Sequence, residues 1–388
     1  MKPLPAGAAS VSVIVPTYNR GHCIEQCLDS LLAQTVPALE ILVVDDGSHD
    51  DTRRRVARYG AGVTYIHKTN GGKPSAVNLA LQRARGDWVW IFDDDDIALP
   101  QANALRLAAL ATQPDAGFVY AGHLVWTEGT ERSPAACRPH RPPPPLPGAF
   151  FFELMRSCYW HLGTALVRRE LMLDLGGLDP ALLSGEDYDL QMRLARVARP
   201  AYCADPIFYF RKHAGARGAP TIRYTAGERA TVFRRFSHML GLKLRGTVPL
   251  AEFLVPPQPA TPDRALPAAA RASALLNRIE VMCNHGCMAE MLQDVEALLQ
   301  LHAQDGRTLA AHEKAALSRA MRAGWAYEAS ALDWPVFIAG ARRLKHHPGA
   351  RQALLSMGMG WLRLAWGYPD TRQRRMAKAL HGIRLAAA

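Results

Sequence analysis

The sequence predicts an α/β protein: a parallel, doubly wound sheet near the N-terminus, then a helical C-terminal region. Two observations carry this. Short β-branched runs alternate with helically spaced apolar residues four times in about 95 residues, the pattern of parallel strands joined by crossover helices. After a proline-rich break at residues 254–268, only helical spacing with short turns remains.

Val11-Ser-Val-Ile-Val15, closed by Pro16, reads as a buried strand. Ile24, Leu28, Leu31 and Leu32 place a helix over 23–33. Ile41-Leu-Val-Val44 is a second buried strand and runs into Asp45-Asp46-Gly47-Ser48. Residues 51–59 read as helical and Val63 to His67 as a third strand. Asn70-Gly71-Gly72 is a turn, followed by a helix over Ser75–Ala84. Trp88-Val-Trp-Ile-Phe92 is a fourth strand and enters Asp93–Asp96. Residues 134–148 hold seven prolines and read as a surface loop without regular structure. Residues 151–213 resume order, with two helical segments and a strand near 201–210. The expected division is a sheet domain over 1–225, a connecting helix and proline-rich linker over 226–268, and a helical, basic domain over 269–388.

At 388 residues the chain is too long for one compact core. Its 49% apolar and 21% charged residues exclude wholesale disorder. The net charge of +11 suggests nucleic acid or an anionic membrane until it is located. Residues 1–225 carry 24 basic and 23 acidic side chains, and residues 226–388 carry 22 and 12. A near-neutral sheet region with an acidic edge repels phosphate, so no nucleic-acid partner is expected. Seven cysteines, odd in number and scattered, fit reduced thiols rather than a disulfide framework. No run reaches the ~18 apolar residues of a spanning helix. No cleavage-site pattern follows the short apolar start. The expected location is cytoplasmic.

Ligands of parallel α/β sheets bind at the carboxyl ends of the strands. The polar clusters lie there: Pro16-Thr17-Tyr18-Asn19-Arg20, Asp45-Asp46-Gly47-Ser48, Asn70-Gly71-Gly72-Lys73 and Asp93-Asp94-Asp95-Asp96. Adjacent carboxylates repel and raise each other's pKa. Such a run after a buried strand calls for a cation, and hard ions such as Mg²⁺ or Mn²⁺ bridge carboxylates to substrate phosphates.

Together these segments resemble the family 2 glycosyltransferases of the GT-A fold. The matching residues are Ser12-Val-Ile-Val-Pro-Thr-Tyr-Asn-Arg20, Val43-Val-Asp-Asp-Gly-Ser48, Asn70-Gly-Gly-Lys73 with Ser75-Ala-Val-Asn78, and Gly86-Asp-Trp-Val-Trp-Ile-Phe-Asp-Asp-Asp-Asp-Ile-Ala-Leu-Pro100. Gly176-Gly-Leu-Asp179 with Gly185-Glu-Asp-Tyr-Asp-Leu190 resembles the acceptor-side segment, and Phe210-Arg-Lys-His213 the closing strand. The resemblance covers roughly residues 10–215 and implies a Rossmann-like mixed sheet, here followed by a helical C-terminal domain.

The resemblance also implies roles. Tyr18 would stack on a nucleobase, with Pro16, Thr17 and Arg20 shaping the same nucleotide-sugar pocket. Asp46 and Asp45 would accept a base N–H or a ribose hydroxyl, and Lys73 would meet the diphosphate. Asp93 and Asp95 would be the two aspartates of the D-x-D signature and would both hold the metal, Asp95 as its main ligand, with Asp94 near the ribose. His213 would complete the metal site, and Asp187 would be the catalytic base. Glu186, Trp160 and His161 fall on the acceptor side. The implied reaction is a metal-dependent, inverting transfer from a nucleotide-diphosphate sugar, a UDP-sugar favoured, to a glycan or lipid-linked acceptor in cell-surface polysaccharide biosynthesis. Processive members carry Gln-x-x-Arg-Trp. Here Gln191 is followed by Met-Arg-Leu-Ala-Arg196, so transfer of a single sugar is expected.

Other readings compete. A dinucleotide oxidoreductase needs G-x-G-x-x-G after the first strand, where this chain has Pro-Thr-Tyr-Asn-Arg-Gly. A nucleotidyltransferase shares a metal-bound aspartate pair, but the Gly-Glu-Asp segment favours glycosyl transfer. A catalytically silent GT-A scaffold would bind a nucleotide-sugar or glycan without turnover. Residues 342–388 hold ten basic residues and one acid, Asp370, interleaved with Trp361 and Trp366. That composition suggests an interfacial helix on an anionic membrane surface, the inner face of the cell membrane.

Overall fold

The computed structural model describes residues 9–182, 184–213, 228–321 and 333–366. The chain forms two compact units, residues 1–146 with 158–229 and residues 147–157 with 230–388. The second unit thus takes in 147–157, a segment that the sequence reading places in the first domain.

The first unit is built on one mixed sheet. β1 (Val11–Thr17) lies between β2 (Glu40–Asp45) and β4 (Trp88–Ile91), and β3 (Thr64–His67) flanks β2. All four are parallel, as expected from the alternation. Every residue of β1, β2 and β4 is buried, which is why these strands read as continuous apolar runs rather than alternating ones. α1 (Ile24–Leu32) buries Ile24, Cys27, Leu28 and Leu31, one helical stripe. α2 (Thr52–Val56) and α3 (Lys73–Leu81) complete the crossovers. Gly72, at φ +85°, precedes α3, and Pro74 occupies its first turn.

Beyond β4 the sheet ceases to be parallel. Its order is β3-β2-β1-β4-β8-β6-β9-β5, with β5 (Ile97–Ala98), β6 (Phe118–Thr127), β8 (Leu166–Arg168) and β9 (Pro200–Lys212). β8 runs antiparallel to β4 and β6, whereas β6 and β9 are parallel. The proline-rich segment is not wholly irregular: β7 (Arg138–His140) pairs with β6, and Pro139 lies opposite Leu124. As a three-residue strand carrying a proline, it has too little pattern to stand out. α4 (Ala102–Ala111), α6 (Arg169–Asp174) and α7 (Glu186–Val197) belong to the same unit.

The second unit comprises α5 (Phe150–Arg156), α8 (Arg229–Thr247), α9 (Ala268–Asn284), α10 (Met288–Gln304), α11 (Ala311–Ala320), α12 (Asp333–Leu344) and α13 (Ala350–Trp366). Buried Asp294 receives Arg245 at 2.5 Å and Arg278 at 2.7 Å, a paired charge of the kind an interior tolerates. α5 joins this unit through Arg156, 2.5 Å from Glu280, and through the Met155 carbonyl, 2.9 Å from His285 Nε2. No helix among the described residues is long and apolar enough to cross a membrane. Of the basic tail, Arg342, Arg343, Lys345, Arg351 and Arg363 fall on α12, α13 and their connection. Arg372, Arg374, Arg375, Lys378 and Arg384 lie outside the described residues.

Gly86 shows how tightly strand β1 is abutted. Its N–H donates to Ser12 Oγ at 2.8 Å, and a Cβ there would lie 2.5 Å from the Ser12 backbone nitrogen. Gly86→Ala should therefore lower the unfolding free energy by about 1–3 kcal/mol, the range for overpacking. Urea denaturation checks this, and an unchanged midpoint would contradict it.

Candidate active site at the strand carboxyl ends

The β2 end is occupied in holding its neighbours. Buried Asp45 accepts the Ser48 N–H at 2.7 Å and the Tyr65 hydroxyl at 2.5 Å. Asp46, also buried, accepts Lys68 Nζ at 2.6 Å and the N–H groups of Gly71 and Gly72 at 2.9 and 2.7 Å. One carboxylate thus folds residues 68–72 into the loop that opens α3 and delivers Lys73. At the β1 end, Pro16 and Thr17 are buried, while Tyr18 and Arg20 are half-buried. Asn19, at φ +53°, turns the chain there, with its N–H on Ser48 Oγ at 2.8 Å.

Lys73 joins two distant carboxylates. Its Nζ lies 2.9 Å from Asp93 Oδ1 and 3.3 Å from Asp187 Oδ2. Burial opposes its charge, but Asp187, Asp93 and Glu186 outweigh that and hold its pKa well above the ordinary value. For Asp93, burial pushes the pKa up, yet Lys73 and His161 prevail and lower it. Asp94 is pushed up to about 7 by burial and the neighbouring Asp95 charge, against Arg20. Arg20 reaches Asp94 at 3.4 Å and Asp95 at 4.0 Å.

Asp95 Oδ2 lies 3.0 Å from His213 Nε2. Arg211, two residues earlier on β9, donates its N–H to Asp96 Oδ1 at 2.9 Å and its Nε–H to the Asp95 carbonyl at 2.7 Å. Beneath the turn, Cys27 Sγ donates to the Asp93 carbonyl at 3.6 Å and Cys23 Sγ to that of Asp94 at 3.7 Å. Burial, followed by the Asp94 and Asp95 charges, pushes the Cys23 thiol up to about 12, so it stays a donor.

Asp95 and His213 converge, but among the described residues no group of three His, Cys, Asp or Glu side chains is gathered tightly enough to hold a metal alone. One carboxylate oxygen and one imidazole suit a hard or borderline cation that takes its other ligands from phosphate and water. Asp93 faces Lys73 instead.

α7 begins at Glu186 after Gly185, at φ +78°, and carries Glu186, Asp187 and Asp189 in its first turn, where the helix dipole favours acids. Glu186 is pushed up to about 7, by burial and then by Asp187. Asp187 Oδ1 is buried with no hydrogen-bond partner among the described residues, and Oδ2 faces Lys73. His161 also joins the cluster. Burial lowers its pKa against the pull of Asp93 and Asp187, and Nδ1 accepts the Gly163 N–H at 3.0 Å.

Trp160 does not offer a sugar-stacking face. It is 2% exposed and stacks on Tyr120 and Phe118, with ring centroids 5.3 and 5.9 Å away. The apolar area of a tryptophan adjoining the sheet is satisfied by aromatic neighbours within the core. Sequence reasoning also missed a histidine cluster: His123 lies 4.7 Å from His140 and 5.8 Å from His161, centroid to centroid. Nothing in the spacing of residues 123, 140 and 161 signals it.

Residues 12–175 match the family described as Glycosyl transferase family 2. An uncharacterized glycosyltransferase of Rickettsia felis is 28% identical over 246 residues, which is 62% of this chain and 40% of that protein. One from Haemophilus influenzae is 30% identical over 196 residues, 47% of this chain and 61% of that protein. The chain thus spans less than two thirds of either relative. The crystal structure of S. aureus TarS aligns with a TM-score of 0.50 at 18% identity, over 84% of this chain and 55% of that one, a likeness of fold.

The His123 environment makes a pH prediction. Burial, then its histidine neighbours, lower its pKa to about 3. An unfolded histidine titrates near 6.5, so below that pH the unfolded chain takes a proton that the folded chain refuses. Stability is fully present above pH 6.5 and falls toward pH 3, by about 2 kcal/mol between pH 7 and 5. Denaturant unfolding of His123→Leu at both pH values should show a loss smaller by about that amount. Equal losses would contradict it.

Proposed function

From the match of residues 12–175 to glycosyltransferase family 2 we propose that this chain is a member of that family and carries out a metal-dependent, inverting transfer of one sugar. The donor is a nucleotide-diphosphate sugar, with a UDP-sugar favoured. The acceptor is a hydroxyl of a glycan or lipid-linked molecule in cell-surface polysaccharide biosynthesis. The observation that carries this reading is the Lys73 bridge, which sets donor-side Asp93 and acceptor-side Asp187 on either side of one ammonium.

Tyr18 gives the nucleobase an aromatic face, and Pro16, Thr17, Arg20, Asp45 and Asp94 line the nucleotide side. Asp46 contributes by holding the 68–72 loop. Lys73 is drawn to the diphosphate, whose charge competes with Asp187 for the ammonium. The Asp187 oxygen with no partner among the described residues then accepts the proton of the acceptor hydroxyl. As that oxygen forms its bond to the anomeric carbon, the bond to the diphosphate oxygen breaks. Burial and the Asp187 charge raise the Glu186 pKa, which favours its neutral form and lightens the charge beside Asp187. His161 interacts with both Asp93 and Asp187, and burial lowers its pKa against their pull. A divalent cation, Mn²⁺ or Mg²⁺, held on Asp95 and His213 would neutralise charge on the departing diphosphate. A single acceptor-side carboxylate suffices, because no water needs activating from the opposite face.

Asp187→Asn should keep UDP-sugar binding, measured by calorimetry, and lower kcat by about 10²–10⁴-fold. Retained turnover removes Asp187 as the base. We further propose that the basic C-terminal segment holds the enzyme on an anionic membrane surface. Replacing Arg372, Arg374 and Arg375 with Gln should weaken sedimentation with phosphatidylserine vesicles, at about 1 kcal/mol per charge. Unchanged sedimentation contradicts it.

A further inference from the structure

We infer that Arg211 is the positioning residue for Asp95: it fixes the backbone of that aspartate while His213, two residues on, fixes its carboxylate. The inference rests on the sugar-transfer reading above, in which Asp95 is the metal-side acid.

Arg211 is 5% exposed. A guanidinium this deep must have its donors met on all sides. Nε donates to the Asp95 carbonyl at 2.7 Å, Nη1 to Glu128 Oε1 at 2.9 Å and Nη2 to Gln26 Oε1. Its own N–H donates to Asp96 Oδ1 at 2.9 Å. The guanidinium also lies over the Trp126 ring, 4.8 Å from its centroid. One side chain therefore ties the Asp93–Asp96 turn to α1 through Gln26 and to the end of β6 through Glu128.

The register of β9 makes this a device for one residue. Arg211 and His213 are two apart, the spacing that puts side chains on one face of an extended chain. Arg211 takes the Asp95 carbonyl and His213 takes Asp95 Oδ2 at 3.0 Å. Backbone and side chain of the same aspartate are thus set from a single strand end. A lysine could not substitute, because its point charge cannot span three acceptors set around a planar fork. Partners in this outer layer usually change metal affinity about 10–100-fold when removed.

The test is Mn²⁺ binding to the full chain in the presence of UDP, followed by the EPR signal of free Mn²⁺. Arg211→Lys should weaken Mn²⁺ binding about 10–100-fold. Gln26→Ala and Glu128→Ala remove the two outer anchors from more exposed positions and guard against a variant that fails to fold. Each should weaken Mn²⁺ several-fold with an unchanged melting temperature. Wild-type affinity in all three variants would overturn the inference and leave the sugar-transfer reading standing. A wild-type chain that takes up no Mn²⁺ would overturn both.

Discussion

Carboxylates packed at one edge of a sheet must be paid for in positive charge, and the rest of the site follows from how that is arranged. Asp93 to Asp96 leave β4 together, and α7 adds Glu186 and Asp187 from the far side. Lys73 sits between the groups, 2.9 Å from one and 3.3 Å from the other. Arg20 and His213 take Asp94 and Asp95, and Arg211 secures the turn that carries them. Lys73 opens α3, Arg20 follows β1, and Arg211 and His213 share the end of β9, so the arrangement is also a map of the fold.

Lys73 is where it is because of the groups that hold its loop. Asp46 gathers the backbone of Gly71 and Gly72, and Gly72 adopts a φ of +85° that admits the loop into α3. Trp90, Phe92 and Phe208 form a buried aromatic layer in the core of this unit. The thiols of Cys23, just before α1, and Cys27, within it, then donate to the carbonyls of Asp94 and Asp93. Burial keeps both thiols protonated. The acidic turn is therefore held by a firm floor, consistent with rigid placement of a reacting group.

Much of this was legible in the sequence, for a definite reason. β1, β2 and β4 are covered on both faces and leave unbroken apolar runs, and their polar ends mark the ligand edge. The antiparallel half was not legible. β5 has two residues, β7 and β8 three each, and periodicity needs more than that. The site divides in the same way. Asp93, Asp95, Lys73, Asp187 and His213 could be read from motifs, but the Lys73–Asp187 contact joins residues 114 apart. Arg211 lay inside a quoted motif without a role, because its partners at 26, 95 and 128 are set by topology. Trp160 shows the opposite limit: a tryptophan beside a binding segment looks the same in sequence whether it stacks on a sugar or fills the core.

The charge of the whole chain says little about this site, since the sheet region, residues 1–225, is close to neutral and its edge acidic. The central claim is that one ammonium links donor binding to release of the base. A crystal structure with UDP and Mn²⁺ bound tests it most directly. The account predicts Mn²⁺ on Asp95 and His213, Lys73 Nζ on the diphosphate, and Asp187 Oδ2 no longer within 3.3 Å of that nitrogen. A bound nucleotide with the Lys73–Asp187 pair intact would contradict it.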